Sequence, residues 1–214
     1  PQPEYTLDIG EKNTIELTVF SGDKKPYMYK SKAYKRNDTA TVEVDRAELT
    51  RLILAGSNMH YEELPAENQK LTFRELEKRL IAETGIDRCD INILKTLNLY
   101  SDKDGYNIAA ALLADSNNYP GIDIGRFGET ISVIRKRKTL DNISILAEYE
   151  AACEIFRDYY QYEIIEESLR KTKELIPEEA FRETVANALI HRVWDVREQI
   201  RVFMFEDRIE VYSP

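Results

Sequence analysis

Apolar and polar positions follow two different periods along this chain. Over residues 14–20 the period is two: Ile15, Leu17 and Val19 interleave with polar residues, which predicts a strand that the Ser21-Gly22-Asp23 turn closes. A second strand is expected over 26–34 and a third, shorter one over 41–44. A helix over 45–54 follows, with Asp45 and Glu48 at its start and Gly56 at its end. Three short strands and one helix bury little surface, so this unit is marginal without a neighbour.

Beyond a polar stretch, Thr72 and Glu75 have the spacing of a capping box for a helix over 73–84, and Gly85 is placed to stop it. A short helix over 91–100, a turn over 102–105 and an Ala-rich helix over 108–114 capped by Asn107 come next. Pro120-Gly121 breaks the chain. Gly121, Gly125 and Gly128 do not have the dinucleotide spacing and read as loop punctuation. An edge strand is expected over 130–137, then a long helix over 144–160 with Ile145, Ala152, Ile155, Phe156 and Tyr159 on one side.

The last stretch has the clearest pattern. Pro177 suits a first helical position, Glu178 and Glu179 the first turn, and Phe181, Val185, Ala188, Leu189 and Val193 one apolar face. A strand over 199–205, a turn at Glu206-Asp207 and a strand over 208–212 complete a helix laid on a hairpin. The expected class is α+β in three parts: a sheet unit over 1–56, a mainly helical region over 57–160, and the helix and hairpin over 161–214. A start at Pro1 without methionine and a stop at Ser213-Pro214 directly after a strand suggest a fragment.

On the terminal helix Glu183, Asn187 and His191 follow one another at intervals of four, so they share a face opposite Phe181 and Leu189. A carboxylate can orient a water while an amide oxygen completes a Mg²⁺ shell, a pairing suited to phosphate chemistry. Such pairs are also routine on solvated helix faces, and spacing alone leaves both readings open.

The run from Phe181 to Arg192 (FRETVANALIHR), followed by Asp207 to Pro214 (DRIEVYSP), resembles the start of the GHKL-type ATP-binding domain in bacterial proteins described as RecG-like helicases or transcriptional regulators. The resemblance implies that Glu183 is the water-orienting carboxylate of the N-box, that Asn187 is the Mg²⁺ ligand, and that Asn187, His191 and Arg192 lie on the nucleotide side of the site. Val193 and Trp194 depart from the family's Asp-Tyr. Lys25-Pro26-Tyr27 and Tyr34 to Thr39 (YKRNDT) resemble the closing strands of the Schlafen AlbA-type domain that commonly precedes it. Ala111 to Ala114, Pro120-Gly121 and Arg126 to Gly128 resemble the connecting segment. By this resemblance the intact protein is a DNA-binding regulator that binds ATP and Mg²⁺, and is an ATPase if it hydrolyses the nucleotide. An ATP-dependent DNA enzyme and a non-catalytic assembly module, a homo-oligomer built on the helix over 144–160, are the alternatives. No Walker A sequence or helicase motor motif is present to favour the enzyme.

Composition narrows these readings. All eight glycines lie at or before Gly128, whereas a nucleotide site needs glycines where backbone amides approach phosphates. This chain alone is therefore expected to hold half a site, to bind nucleotide weakly and to be inactive. The net charge of −9 argues against a surface that coats nucleic acid as a whole. Contact must be local, and the candidates are Lys25, Lys30, Lys32, Lys35 and Arg36, interleaved with tyrosines; the alternative is a lysine-guarded strand edge. Arg135 to Lys138 form a second, shorter basic run. Cys89 and Cys153 have no metal or disulfide spacing. The longest apolar run, 108–114, is far below the ~20 residues of a membrane span, and no leader opens the chain, so a cytoplasmic location without membrane contact is expected.

Overall fold

The computed structural model describes residues 3–10, 14–22, 25–128, 132–166 and 169–214, and it is a mixed α+β structure. The chain divides into two compact units, Pro1–Glu63 and Leu64–Pro214.

The first unit contains two antiparallel hairpins and a helix. Strand β1 (Tyr5–Ile9), which the sequence pattern did not indicate, pairs with β2 (Ile15–Val19). Strand β3 (Tyr34–Asn37) pairs with β4 (Ala40–Glu43), and helix α1 (Arg46–Gly56) starts where the Asp45 carboxylate accepts the Glu48 N–H at 2.8 Å. The strand expected over 26–34 does not form. Lys30 and Ser31 both have positive φ, 48° and 64°, and Tyr29 and Lys32 exchange backbone hydrogen bonds around them, so the segment is a tight turn.

The second unit is built on one four-stranded sheet of order β12-β11-β7-β8. Its inner strands are β7 (Ile122–Phe127) and β11 (Ile200–Met204), which run parallel; β8 (Ile134–Leu140) and β12 (Ile209–Tyr212) flank them antiparallel. Strand β7 corrects the reading of Gly125 as loop punctuation, whereas Gly121 and Gly128 flank the strand at its two ends. It is almost wholly buried, and Gly125 lies under the Phe127 ring, where an added Cβ would come within 2.9 Å of the ring. Helices α5 (Ile145–Tyr160) and α6 (Glu178–His191) lie against one sheet face. There Phe156 stacks on Phe181, 4.7 Å between centroids, above Ile122, Ile124, Ile200 and Val202. The apolar side of α5 is thus covered within the unit, by α6 and the sheet.

A smaller cluster joins α2 (Arg74–Thr84), α3 (Ile91–Thr96) and α4 (Ile108–Leu113) through Leu76, Leu94, Leu99 and Ala110. Here α3 stops at Thr96, and Tyr100–Ser101 (β5) turns back on Gly105–Tyr106 (β6). Asn107 caps α4 as expected, accepting the Ala110 N–H. The capping box at α2 does not form. The carboxylate of Asp115, far away in sequence, accepts the Glu75 N–H at 3.1 Å and is held by the Arg74 side chain at 3.2 Å. Burial pushes that carboxyl up, but hydrogen bonds from Thr72, Glu75 and Arg74 outweigh it and bring the pKa down to about 2. A second hairpin, β9 (Gln161–Glu166) with β10 (Leu169–Glu174), joins α5 to α6. The edge strand expected over 130–137 begins instead at Ile134, and residues 129–131 lie outside the described set. Among the described residues no helix is long and apolar enough to cross a membrane.

Candidate functional site

Helix α6 buries Phe181, Val185, Ala188 and Leu189. The 3.6-residue period then fixes what lies opposite: Glu183, Asn187 and His191 fall on successive turns of the exposed side, as the sequence indicated. None of these three side chains makes a hydrogen bond or ion pair to a described residue. Ile190, 68% exposed, lies on the same ridge. The Ser213 hydroxyl donates to the Ala188 carbonyl at 3.2 Å, and the Val193 N–H donates to the Pro214 carbonyl, which seats the end of β12 against the last turn of α6. Glu183 and Asn187 offer one carboxylate and one amide oxygen, hard donors that suit Mg²⁺ when water and phosphate oxygens complete its shell. Among the described residues no group of three or more His, Cys, Asp or Glu side chains could hold a metal unaided.

Arg192 is elsewhere. The helix ends at His191, and Arg192 adopts an extended conformation that turns its side chain inward, leaving it 3% exposed. Its guanidinium donates to the Pro120 carbonyl at 2.6 Å and to the Glu198 carbonyl, and it stacks on Trp194, 4.3 Å from the ring centroid. It therefore ties together the chain segments that enter β7 and β11. Burial lowers its pKa, and the nearby Glu148 opposes that shift.

Glu148 is the group that sequence reasoning missed. It projects from α5 into the core, 2% exposed, and among the described residues its Oε2 has no hydrogen-bond partner; neither has Arg192 Nε. Burial, against the pull of Arg192 and with some repulsion from Asp141, pushes it up to about 8. Gly121 makes room for it: an added Cβ would lie 2.5 Å from Glu148 Oε1 and 1.9 Å from the Leu140 carbonyl. The signal was present in the sequence, because Glu148 lies three residues after Ile145 and four before Ala152, on the apolar side of the helix. Beside this cluster, Asp141 accepts the Gly121 N–H at 2.9 Å and the Gln199 amide. Asp141 and Gln199 form one wall of a 540 Å³ polar cleft that Asn118, Tyr119, Arg197 and Arg201 also line.

The five basic candidates of the first unit do not share a strand face. Lys30 sits in the tight turn with its ammonium 5.4 Å from the Tyr29 ring centroid. Lys32 is paired with Glu43 at 2.6 Å and Lys35 with Glu48 at 2.7 Å, both exposed ion pairs. Arg36 donates to the Asp38 carbonyl and the Thr41 hydroxyl, and Lys25 lies outside any helix or strand, joined to Pro26 by a cis peptide bond. In the second unit, Arg137 of β8 forms a forked pair with Asp123, and Arg135 pairs with Glu206.

No family model matches the chain, and no curated protein matches it. Among solved structures it is similar to the crystal structure of the DIP2311 protein from Corynebacterium diphtheriae. The two are 19% identical, the likeness covers 99% of this chain and 45% of that one, and the TM-score is 0.59. This chain thus spans less than half the length of that protein, and at such identity the likeness concerns the fold.

Proposed function

We propose that this chain is part of a DNA-associated regulator whose second unit contributes the Mg²⁺-facing half of an ATP site through α6. The observation that carries the reading is the ridge of Glu183, Asn187 and His191, aligned, exposed and engaged with no described neighbour. Glu183 and Asn187 would hold the ion, and Glu183 would orient a water for attack on a phosphate. Bound Mg²⁺ would supply charge neutralisation at the phosphates. The absence of glycine after Gly128 fits weak nucleotide binding by this chain, because few backbone amides can approach the phosphates closely.

Mg²⁺-ATP titrated into the ¹⁵N-labelled chain is expected to shift the amide signals of Glu183, Asn187 and His191 selectively, and Asn187→Ala is expected to abolish those shifts. Unchanged α6 signals at saturating nucleotide would overturn the assignment of the ridge.

Nucleic-acid contact is assigned to the turn and hairpin that hold Lys30, Lys32, Lys35 and Arg36. The ion pairs of Lys32 and Lys35 are exposed and so of little net worth, which leaves those ammonium groups able to exchange a carboxylate for a phosphate. Fluorescence anisotropy with a short DNA duplex is expected to show binding that weakens as salt rises, with a slope that falls by about 0.9 per phosphate contact removed. The combined variant Lys30→Glu, Lys32→Glu, Lys35→Glu should lose the binding. Equal binding by variant and parent would remove this segment from the reading.

A further inference from the structure

Strands β1 and β2 place Tyr5, Leu7 and Ile9 directly opposite Val19, Leu17 and Ile15. Side chains alternate between the two faces of a strand, so all six project from one face of the hairpin. Every one is exposed, from 56% at Val19 to 84% at Ile9. The other face carries Thr6, Asp8, Glu16 and Thr18, with Asp8 directly opposite Glu16, a like-charge pair that weakens the hairpin. A two-stranded hairpin is marginal in water even without that repulsion. The rest of the unit offers little shelter, since among its described residues only Ala33 and Val44 are buried.

An apolar face of this extent needs a cover. The six together present on the order of 700 Å², beyond the ~300–600 Å² patch of a typical monomer and close to the ~800 Å² per partner of a stable interface. The face holds no charged group that would select an oppositely charged partner. Each strand carries three apolar residues with leucine in the middle, so the surface is complementary to itself under a two-fold rotation.

We propose that this face is a homodimer interface: two copies pack hairpin on hairpin, with the Leu7 and Leu17 pairs at the centre and Asp8 and Glu16 turned outward to water. Face-to-face sheets stack about 10 Å apart, which lets the six side chains of each copy interdigitate. The inference stands apart from the nucleotide and DNA reading, and its test uses neither ligand.

Sedimentation equilibrium of the chain over about 10–200 µM is expected to give twice the 24.9 kDa monomer mass. The double variant Leu7→Asp, Leu17→Asp should dimerise at least about 100-fold more weakly. Its Trp194 fluorescence should stay unchanged, as a check that the second unit is intact. Because the aspartates could also unravel the hairpin, crosslinking gives a second reading: in a Cys89→Ser background, which removes the partly exposed native thiol, a short bis-maleimide should join Leu7→Cys chains and not Thr6→Cys chains. A parent that stays monomeric at the highest concentration, an open-ended larger assembly, a dimer that persists in the double variant, or equal crosslinking at positions 6 and 7 would each overturn the proposal.

Discussion

Glu148→Gln is expected to stabilise the second unit by about 3 kcal/mol at pH 7. Glu148 is buried with a pKa pushed up to about 8, against an ordinary value of 4.5. Between those values the unfolded chain has released the proton while the folded one still holds it. Folding must therefore take up a proton, and that becomes harder as pH rises. The contribution is fully present below pH 4.5, declines up to about pH 8 and is then lost. Glutamine has the same shape and no proton to lose, so it removes this dependence. Trp194, the one tryptophan, is itself buried and stacked on Arg192. Urea unfolding read by its fluorescence at pH 5, 7 and 9 should thus show a stability difference between variant and parent that grows from pH 5 to 7 and levels off above 8. A difference independent of pH would mean that Glu148 is already ionised in the folded protein. Asp115 behaves oppositely: held down to about 2, it contributes stability above its ordinary pKa that is lost as pH falls toward 2, so the two groups act in separate windows.

The sequence reading and the structure agree best where one local signal is enough. Helix α6 follows from a run of apolar residues at helical spacing after Pro177, and the hairpin beyond it from strict alternation around Glu206-Asp207. The ridge of Glu183, Asn187 and His191 was legible for the same reason, since it needs only the period of the helix. Strand β7 was not, because a parallel inner strand is buried on both faces and does not alternate, and Gly125 imitates a loop. The alternating lysines and tyrosines before Tyr34 imitate a strand but conceal a turn at Lys30 and Ser31, where two residues adopt the left-handed region. The cap of α2 comes from Asp115, which no local window contains. Arg192 was placed on the nucleotide side by the resemblance, and only the helix end at His191 turns it inward. What escaped is in each case fixed by tertiary packing, and that includes Glu148, whose place among apolar neighbours was visible but whose partner was not.

Arg192→Ala should be the most destabilising substitution near the candidate site, at about 3–5 kcal/mol. The guanidinium serves two backbone carbonyls at once, those of Pro120 and Glu198, in a region closed to water. Each acceptor left unpaired costs roughly 1–3 kcal/mol, and the ring of Trp194 loses its stacked cation. Lysine cannot reproduce the planar fork, so Arg192→Lys should recover less than half of the loss. Should the alanine variant fail to fold, Arg192→Met keeps the apolar stem and isolates the charge. Because the positive charge of Arg192 draws the Glu148 pKa down, its removal lets that pKa climb beyond its present value. The gain from Glu148→Gln should therefore keep growing between pH 8 and 9 in the Arg192→Met background, whereas in the parent it is already flat. Equal gains at pH 9 in both backgrounds would show that the two buried groups do not interact. A larger gain in the Arg192→Met background would establish that the charge fastening the ends of β7 and β11 also sets the proton affinity of the core.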